Sequence, residues 1–370
     1  MELLFLKEGR SVYGAEQATL TLLSALVHHT PCKASVIVRE YEVSPSEFLQ
    51  ELESRGIPHQ VCHSDRQWMR ALVSTVNRTS PSAVVSVGYK SHLILAVAPT
   101  RKIPKIAILH GWVDTDLKLM LYNRLARFGL RSFRGVFRVA DTIHVKHANV
   151  TTLPNAIEPE RIEQALTDSD SASLLHHLPS QTPRFLFLGR LSPEKGCSEL
   201  IRAFAAYRQR YPAKLICLGD GPLRHDLLSL SKTLGISDDL LMPGYCSNPI
   251  PFLAQADLLV LPSHTEGLPM CVLEAMYLRT PVAATPVGAL PSLLGKNERG
   301  WLIPEPRAGA IMATLEQFTK TAPSQRLAMT EQARAYVLQN HTPEHLAQCF
   351  RNTLDQWLNG SHCEVLPDND

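Results

Sequence analysis

What most constrains the fold of this chain is a repeated pairing of a short apolar run with a following segment long enough to be a helix. The runs fall at Leu3 to Leu6, Ala34 to Val38, Ala83 to Val87, Ile106 to Leu109 and Thr142 to Val145. They resume at Phe185 to Leu188, Leu215 to Leu218, Leu258 to Leu261 and Val282 to Ala284. A strand with one wet face alternates apolar and polar residues; near-continuous Val/Ile/Leu runs belong to strands covered on both faces. Such strands, each followed by a helix, make the parallel sheet of a doubly wound α/β domain. Two series predict two domains, and 370 residues with 45% apolar content are enough for two cores.

The first domain is expected over residues 1–153 and the second over 154–340. Between them Leu153-Pro154-Asn155-Ala156-Ile157-Glu158-Pro159 breaks regular structure before a new helix. A polar segment from Asp168 to Thr182 then leads into the first strand of the second domain. Beyond Ala310 the pattern is helical. A helix over 341–358, with Pro343 at its start and Trp357 in its last turn, is expected to cross back to the N-terminal domain, leaving 359–370 as a disordered tail.

A formal net charge of +2 gives no domain-wide case for nucleic-acid binding. The eight cysteines have no CxxC pair and no Cys/His metal spacing, as expected of free thiols in a reducing compartment. No apolar stretch approaches the roughly 18 residues of a membrane span. A cytoplasmic protein is expected, with room for peripheral membrane contact.

Ligands of open parallel sheets bind beyond the carboxyl ends of the strands, so the residues just after each run carry the chemistry. After Phe185 to Leu188 comes Gly189-Arg190-Leu191-Ser192-Pro193-Glu194-Lys195-Gly196, which places a guanidinium and an ammonium at a helix N-terminus. A diphosphate fits there, since the helix dipole also favours anions; alone, the two cations also fit a solvated loop. After Leu258 to Leu261, Glu266 precedes a helix that Pro269 can start and that carries Glu274. If helical throughout, that spacing separates the carboxylates by about 10 Å. This suits two hydroxyl-bearing ends of one extended ligand, although an inverting-hydrolase separation also fits the arithmetic.

Glu266-x7-Glu274, preceded by the Arg190 and Lys195 loop and by Gly219-Asp220-Gly221-Pro222, resembles the retaining nucleotide-sugar glycosyltransferases of family four, which have the GT-B fold. The resemblance covers nearly the whole chain and is most specific from Phe185 to Glu274. It implies two Rossmann-like domains facing a central cleft, the first binding acceptor and the second donor. It implies that Arg190 and Lys195 hold the donor diphosphate, Glu274 the ribose, and Glu266 the hydroxyls of the transferred sugar. The amides of Gly267 and Leu268 would cradle sugar and phosphate, with Gly189 and Gly221 in the same donor site. Gly244-Tyr245-Cys246 would meet the base.

In the N-terminal half, Gly9-Arg10-Ser11-Val12-Tyr13-Gly14-Ala15-Glu16 is similar to the family's Gly-Gly-Ala-Glu loop, with Tyr13 in place of one glycine. Gly14 would still admit the donor phosphate. His110-Gly111-Trp112 resembles the loop facing the transferred sugar, which makes His110 a catalytic candidate alongside Glu266, Arg190 and Lys195. Two departures stand out. Ser292 occupies a position where an acidic residue is common, and a helix is missing between Ala140-Asp141 and Leu153.

Asp114-x-Asp116 has the form of a metal-binding pair, but two acids at a helix start also serve the dipole. With two cations for the diphosphate, no metal is expected. Arg124, Arg127, Arg131, Arg134 and Arg138 recur at steps of three and four, which on a helix forms one basic face. It is either a solvated face or a surface for anionic lipid or a phosphorylated acceptor.

The expected function is retaining transfer of a sugar, from a UDP-sugar or alternatively GDP-mannose, to a glycan or lipid-linked acceptor. Lipopolysaccharide or capsule synthesis is the implied setting. The competing readings are a sugar-nucleotide epimerase or hydrolase of the same fold, and a non-catalytic nucleotide-sugar-binding subunit.

Overall fold

Every strand pairing among the described residues is parallel, as continuous apolar strands require. The computed structural model describes residues 1–9, 12–41, 45–100, 102–111, 117–167 and 182–360, without the side chains of 117–119. It divides into two units, Met1–Ala156 with Pro343–Asp370, and Ile157–Thr342. These boundaries differ by a few residues from the expected 153 and 341.

In the first unit, strands β1 (Glu2–Glu8), β2 (Lys33–Arg39), β3 (His59–Cys62), β4 (Ala83–Val87), β5 (Lys105–Leu109), β6 (Gly135–Arg138) and β7 (Val150–Thr152) form one sheet in the order β3-β2-β1-β4-β5-β6-β7. Helices α1 (Gly14–His29), α2 (Glu47–Ser54), α3 (Asp65–Thr79), α4 (Tyr89–Val97) and α5 (Leu117–Gly129) connect them. Ser46 and Ser64 start α2 and α3 by accepting hydrogen bonds from the amides of Leu49 and Gln67.

The second unit is a six-stranded sheet of β8 (Arg184–Leu188), β9 (Lys214–Leu218), β10 (Leu240–Gly244), β11 (Leu258–Leu261), β12 (Val282–Ala284) and β13 (Trp301–Leu302), ordered β10-β9-β8-β11-β12-β13. Its helices are α6 (Pro159–Thr167), α7 (Cys197–Arg208), α8 (Arg224–Thr233), α9 (Ile250–Gln255), α10 (Met270–Tyr277), α11 (Leu290–Leu294), α12 (Ala308–Lys320) and α13 (Pro323–Asn340).

The chain then re-enters the first unit as α14 (Pro343–Asn359). Its buried positions, Leu346, Ala347, Phe350, Leu354 and Trp357, repeat at helical spacing and join the core that holds Phe5 and Phe137. The Phe137 ring lies 4.8 Å from that of Phe350 and 4.6 Å from that of Trp357. Residue 135 must be glycine for this approach, because a methyl group there would collide with the Trp357 indole.

Two sequence expectations need correction. Thr142 to Val145 is not a strand. The Arg138 guanidinium bonds the carbonyl and carboxylate of Asp141, and the Ile143 amide turns back to the Ala140 carbonyl, so the chain folds on itself there. The strands at this edge are β6 and β7, joined in parallel without a helix. The five arginines also do not share a helix face. Only Arg124 and Arg127 lie in α5; Arg131 is in a following 3-10 turn, Arg134 precedes β6, and Arg138 ends it. Arg134 Nε instead donates to the Trp357 carbonyl at 2.7 Å, and Arg138 Nε to Thr152 Oγ1 at 3.1 Å. The change from helical to extended backbone after Ser132 breaks the period on which the single-face reading rested.

Candidate functional site

In the second sheet the strand order reverses between β8 and β11, and the two loops singled out in the sequence are those that leave these two strands. Such a switch point opens a crevice at the carboxyl edge, where ligands of doubly wound sheets bind.

The two loops are tied together by a half-buried charge pair. Lys195 Nζ donates to both oxygens of Glu266, at 2.7 and 2.8 Å, and Ser263 Oγ donates to Oε1 at 2.7 Å. The Glu266 side chain is 7% exposed, so its charge is held by these contacts more than by water. Thr285 Oγ1 donates to the Ser263 carbonyl, and the His264 amide to the Glu194 carbonyl at 2.8 Å. Gly196, with φ of +67°, lies where a methyl group would strike the Pro262 carbonyl oxygen, so only glycine lets the loops close this far. Lys195 itself lies in a 3-10 turn over Pro193–Lys195, just ahead of α7.

Arg190 is exposed, and its guanidinium has no partner among the described residues. The Gly267 amide likewise donates to no described group, while its carbonyl accepts from Ala289 at 2.9 Å. Leu268 is buried just before α10. Gly189 and Gly221 lie on adjoining loops, connected through Gly189 to the Leu218 carbonyl at 3.0 Å and Leu191 to the Asp220 carbonyl at 2.9 Å. Gly244 ends β10, followed by an exposed Tyr245 and by Cys246, whose thiol donates to the Asn248 carbonyl at 3.2 Å.

Glu274, in α10, has no hydrogen bond or ion pair to its carboxyl among the described residues, and burial pushes that carboxyl up to about 7. The Cys271 thiol is pushed well above its ordinary range by burial and then by the charges of Glu274 and Glu266, with Lys195 opposing. One thiol feeling all three charges puts them in a single neighbourhood. Sequence reasoning did not assign Ser263 or Cys271 to the site, although both fall inside the Pro262 to Glu274 stretch.

Gly14 and His110 belong to the first unit. Gly14 is the first residue of α1, with open space where a side chain would be, and the exposed Tyr13 occupies the N-cap. His110 follows β5. Burial, then repulsion from the Lys7 ammonium, pulls its imidazole down to about 4, with Glu16 opposing, so the ring is neutral near pH 7. Lys7 Nζ and Glu16 Oε1 form a buried pair at 2.7 Å. Burial alone would raise the Glu16 carboxyl; attraction and a hydrogen bond from Lys7 bring it below its usual value. Neither residue was assigned to the site from sequence. A lysine inside a two-side-buried strand, with an acid in the next helix's first turn, is the signal that finds such pairs.

Among the described residues no group of three or more His, Cys, Asp or Glu side chains is arranged to hold a metal. Trp112, Asp114 and Asp116 lie outside them, as does the segment 168–181. The seven described cysteines are unpaired, and no described helix is long and apolar enough to cross a membrane.

Two doubly wound parallel units with a charged switch-point site define the class: an α/β protein of the GT-B type. The model of the glycosyl transferases group 1 family matches residues 175–336. The chain is similar to the 2-deoxystreptamine glucosyltransferase of Streptomyces kanamyceticus, with 32% identity over 40% of this chain and 39% of that one. It is also similar to TuaC of Bacillus subtilis, named for a glycosyltransferase of teichuronic acid biosynthesis, with 28% identity over 59% of this chain and 55% of that one. The matches span 33% to 55% of the length of the first curated relatives. Among solved structures, Anabaena HepE in complex with UDP-glucose superposes with a TM-score of 0.80 at 18% identity, covering 96% of this chain and all of that one.

Proposed function

We propose that the protein is a retaining glycosyltransferase that moves a sugar from a nucleoside diphosphate donor, foremost a UDP-sugar, to a hydroxyl of a glycan or lipid-linked acceptor. Bacterial surface-glycan synthesis, at the inner face of a membrane, is the setting. The observation that carries this reading is Arg190, without a partner among the described residues, on the same short loop as the Lys195–Glu266 pair, at the switch point of the unit that the group 1 family model matches. Structures of HepE with UDP and UDP-glucose support the choice of base.

In the reaction the bond from the anomeric carbon to the β-phosphate oxygen breaks, and a bond to the acceptor oxygen forms on the same face. The acceptor's proton passes to the departing phosphate, and the nucleoside diphosphate leaves. Arg190 and Lys195 meet the charge that grows on the leaving group, the step at which preorganised cations contribute most. As Lys195 turns from Glu266 to the diphosphate, the carboxylate becomes available to the sugar hydroxyls while Ser263 still orients it. Glu274 holds the ribose, the Gly267 and Leu268 amides hold sugar and phosphate, and Tyr245 and Cys246 flank the base. Gly14, Gly189 and Gly221 leave room for the phosphates. A neutral His110 donates a hydrogen bond to the sugar without adding charge. No metal is needed.

The test is a thermal-shift panel of UDP-, GDP- and ADP-sugars, followed by product analysis with and without acceptor. A ligand that binds only the native state raises its midpoint. Stabilisation by UDP-sugars and acceptor-dependent release of UDP, with the anomer retained, is the expected result. Donor turnover without acceptor would mark a hydrolase or epimerase, and binding without turnover a non-catalytic subunit.

A further inference from the structure

The charge of this chain is unevenly spread. Residues 88–140 hold ten Lys and Arg against two Asp, while the rest of the chain holds 27 against 33. No acidic residue occurs from 117 to 140. The same stretch concentrates exposed apolar side chains. Of the thirteen large hydrophobic residues that are exposed among the described ones, five are Val97, Met120, Leu121, Leu125 and Phe128. All five belong to α4 and α5, which pack on each other with the Ala96 methyl against Gly129.

The helix α5 is amphipathic twice over. Asn123 and Ala126, continued by Leu130, face inward and are 4%, 0% and 1% exposed. On the opposite side, at steps of four and three, stand Leu121, Leu125 and Phe128, exposed by 59%, 48% and 67%. Arg124 and Arg127 lie on the arc beside this apolar row, and the Arg131 guanidinium sits over the Phe128 ring at 5.0 Å. An outward row of this kind contributes nothing to the core. Scattered exposed apolar residues need no explanation, but a continuous row rimmed by cations has a cost in water that a partner must offset.

We infer that the outer face of α4 and α5 docks on an anionic lipid bilayer, with Leu121, Leu125 and Phe128 entering the acyl boundary and Arg124, Arg127 and Arg131 meeting headgroup phosphates. The chemistry selects a bilayer: large apolar side chains without polar partners suit acyl chains, and the flanking cations match a negative surface. The Arg131–Phe128 stack presents an apolar body and a cation at one depth, as an interfacial residue pair does. Arg134 and Arg138 take no part, because they lie beyond α5, Arg134 just before β6 and Arg138 at its end. The inference goes beyond the transfer reaction, since it requires no donor site.

The test is co-sedimentation with vesicles of phosphatidylcholine alone and of phosphatidylcholine mixed with phosphatidylglycerol. The wild type is expected to bind only the mixed vesicles. Replacing Leu121, Leu125 and Phe128 together with Ser should lower that binding by about tenfold or more, because the acyl contact is lost. Replacing Arg124, Arg127 and Arg131 with Gln should abolish the preference for phosphatidylglycerol. All three apolar positions are exposed, so the thermal midpoint should be unchanged. In a Phe128→Trp protein, the added tryptophan emission should shift to the blue on mixed vesicles and be quenched by lipid with brominated acyl chains. Absence of wild-type binding, equal binding by wild type and the serine variant, or no quenching of the added indole in the Phe128→Trp protein would overturn the inference. So would self-association through this face without vesicle binding. None of these readouts depends on nucleotide-sugar turnover.

Discussion

Replacing Glu274 by Gln should make the ligand-free protein more stable above neutral pH while weakening nucleotide binding. Burial raises this carboxyl from an ordinary 4.5 to about 7, and no cation among the described residues opposes the shift. The folded state therefore holds a proton that the unfolded chain has already released between those two values. Stability contributed by the protonated form is present below the unfolded pKa and is lost as pH rises toward 7. At about 1.4 kcal/mol per pH unit, the span corresponds to a penalty of about 3 kcal/mol at pH 8, as an upper figure for a partly solvated group. Glutamine matches the shape and carries no charge. Urea unfolding of both proteins at pH 5 and pH 8 measures the effect. The variant should gain about 1–3 kcal/mol at pH 8 and little at pH 5. Calorimetry should show weaker affinity for the free diphosphate, because the variant lacks the carboxylate that accepts from the ribose hydroxyls. A variant equally or less stable at both pH values would refute the assignment of Glu274 as a buried, uncompensated acid.

Lys195→Ala and Arg190→Ala should each remain folded and lose about a hundredfold or more in transfer rate, measured at saturating donor; near-normal turnover in both would remove the diphosphate assignment. Glu266→Gln should leave diphosphate affinity nearly unchanged while lowering transfer and blurring discrimination between epimeric donors, since a buried acceptor matched to one hydroxyl penalises the epimer that leaves it unpaired. An affinity loss as large as that of Glu274→Gln would place the sugar elsewhere. EDTA should leave the rate largely intact, and inhibition reversed by manganese would turn attention to Asp114 and Asp116.

Burial on both faces made eight of the nine apolar runs legible as strands, because nothing but a covered parallel sheet tolerates them. The strands β3, β6, β7, β10 and β13 were not legible. His59–Cys62 and Val150–Thr152 are held at the sheet's edges by pairing with β2 and β6, and their own composition is mixed. The arginine spacing misled for a related reason: a helical period continued by chance across Ser132 into β6, where pairing with β5 sets the backbone. In the site, residue types and loop positions showed where charge would gather. They did not show that Lys195 and Glu266 neutralise one another, or that Glu274 has no cation beside it among the described residues. Those are matters of distance between loops far apart in sequence.

The return of α14 to the first unit has a consequence for the order of synthesis. The residues of the second unit, Ile157–Thr342, form one continuous stretch, whereas the first unit needs residues from both ends of the stretch it encloses. A growing chain emerges at about 5–20 residues per second. For the time needed to make residues 157–342, Phe5 and Phe137 wait without Phe350 and Trp357 to cover them. The second unit can finish folding first, and the first stays incomplete, with apolar surface open to chaperones or to a neighbouring nascent chain, until α14 arrives.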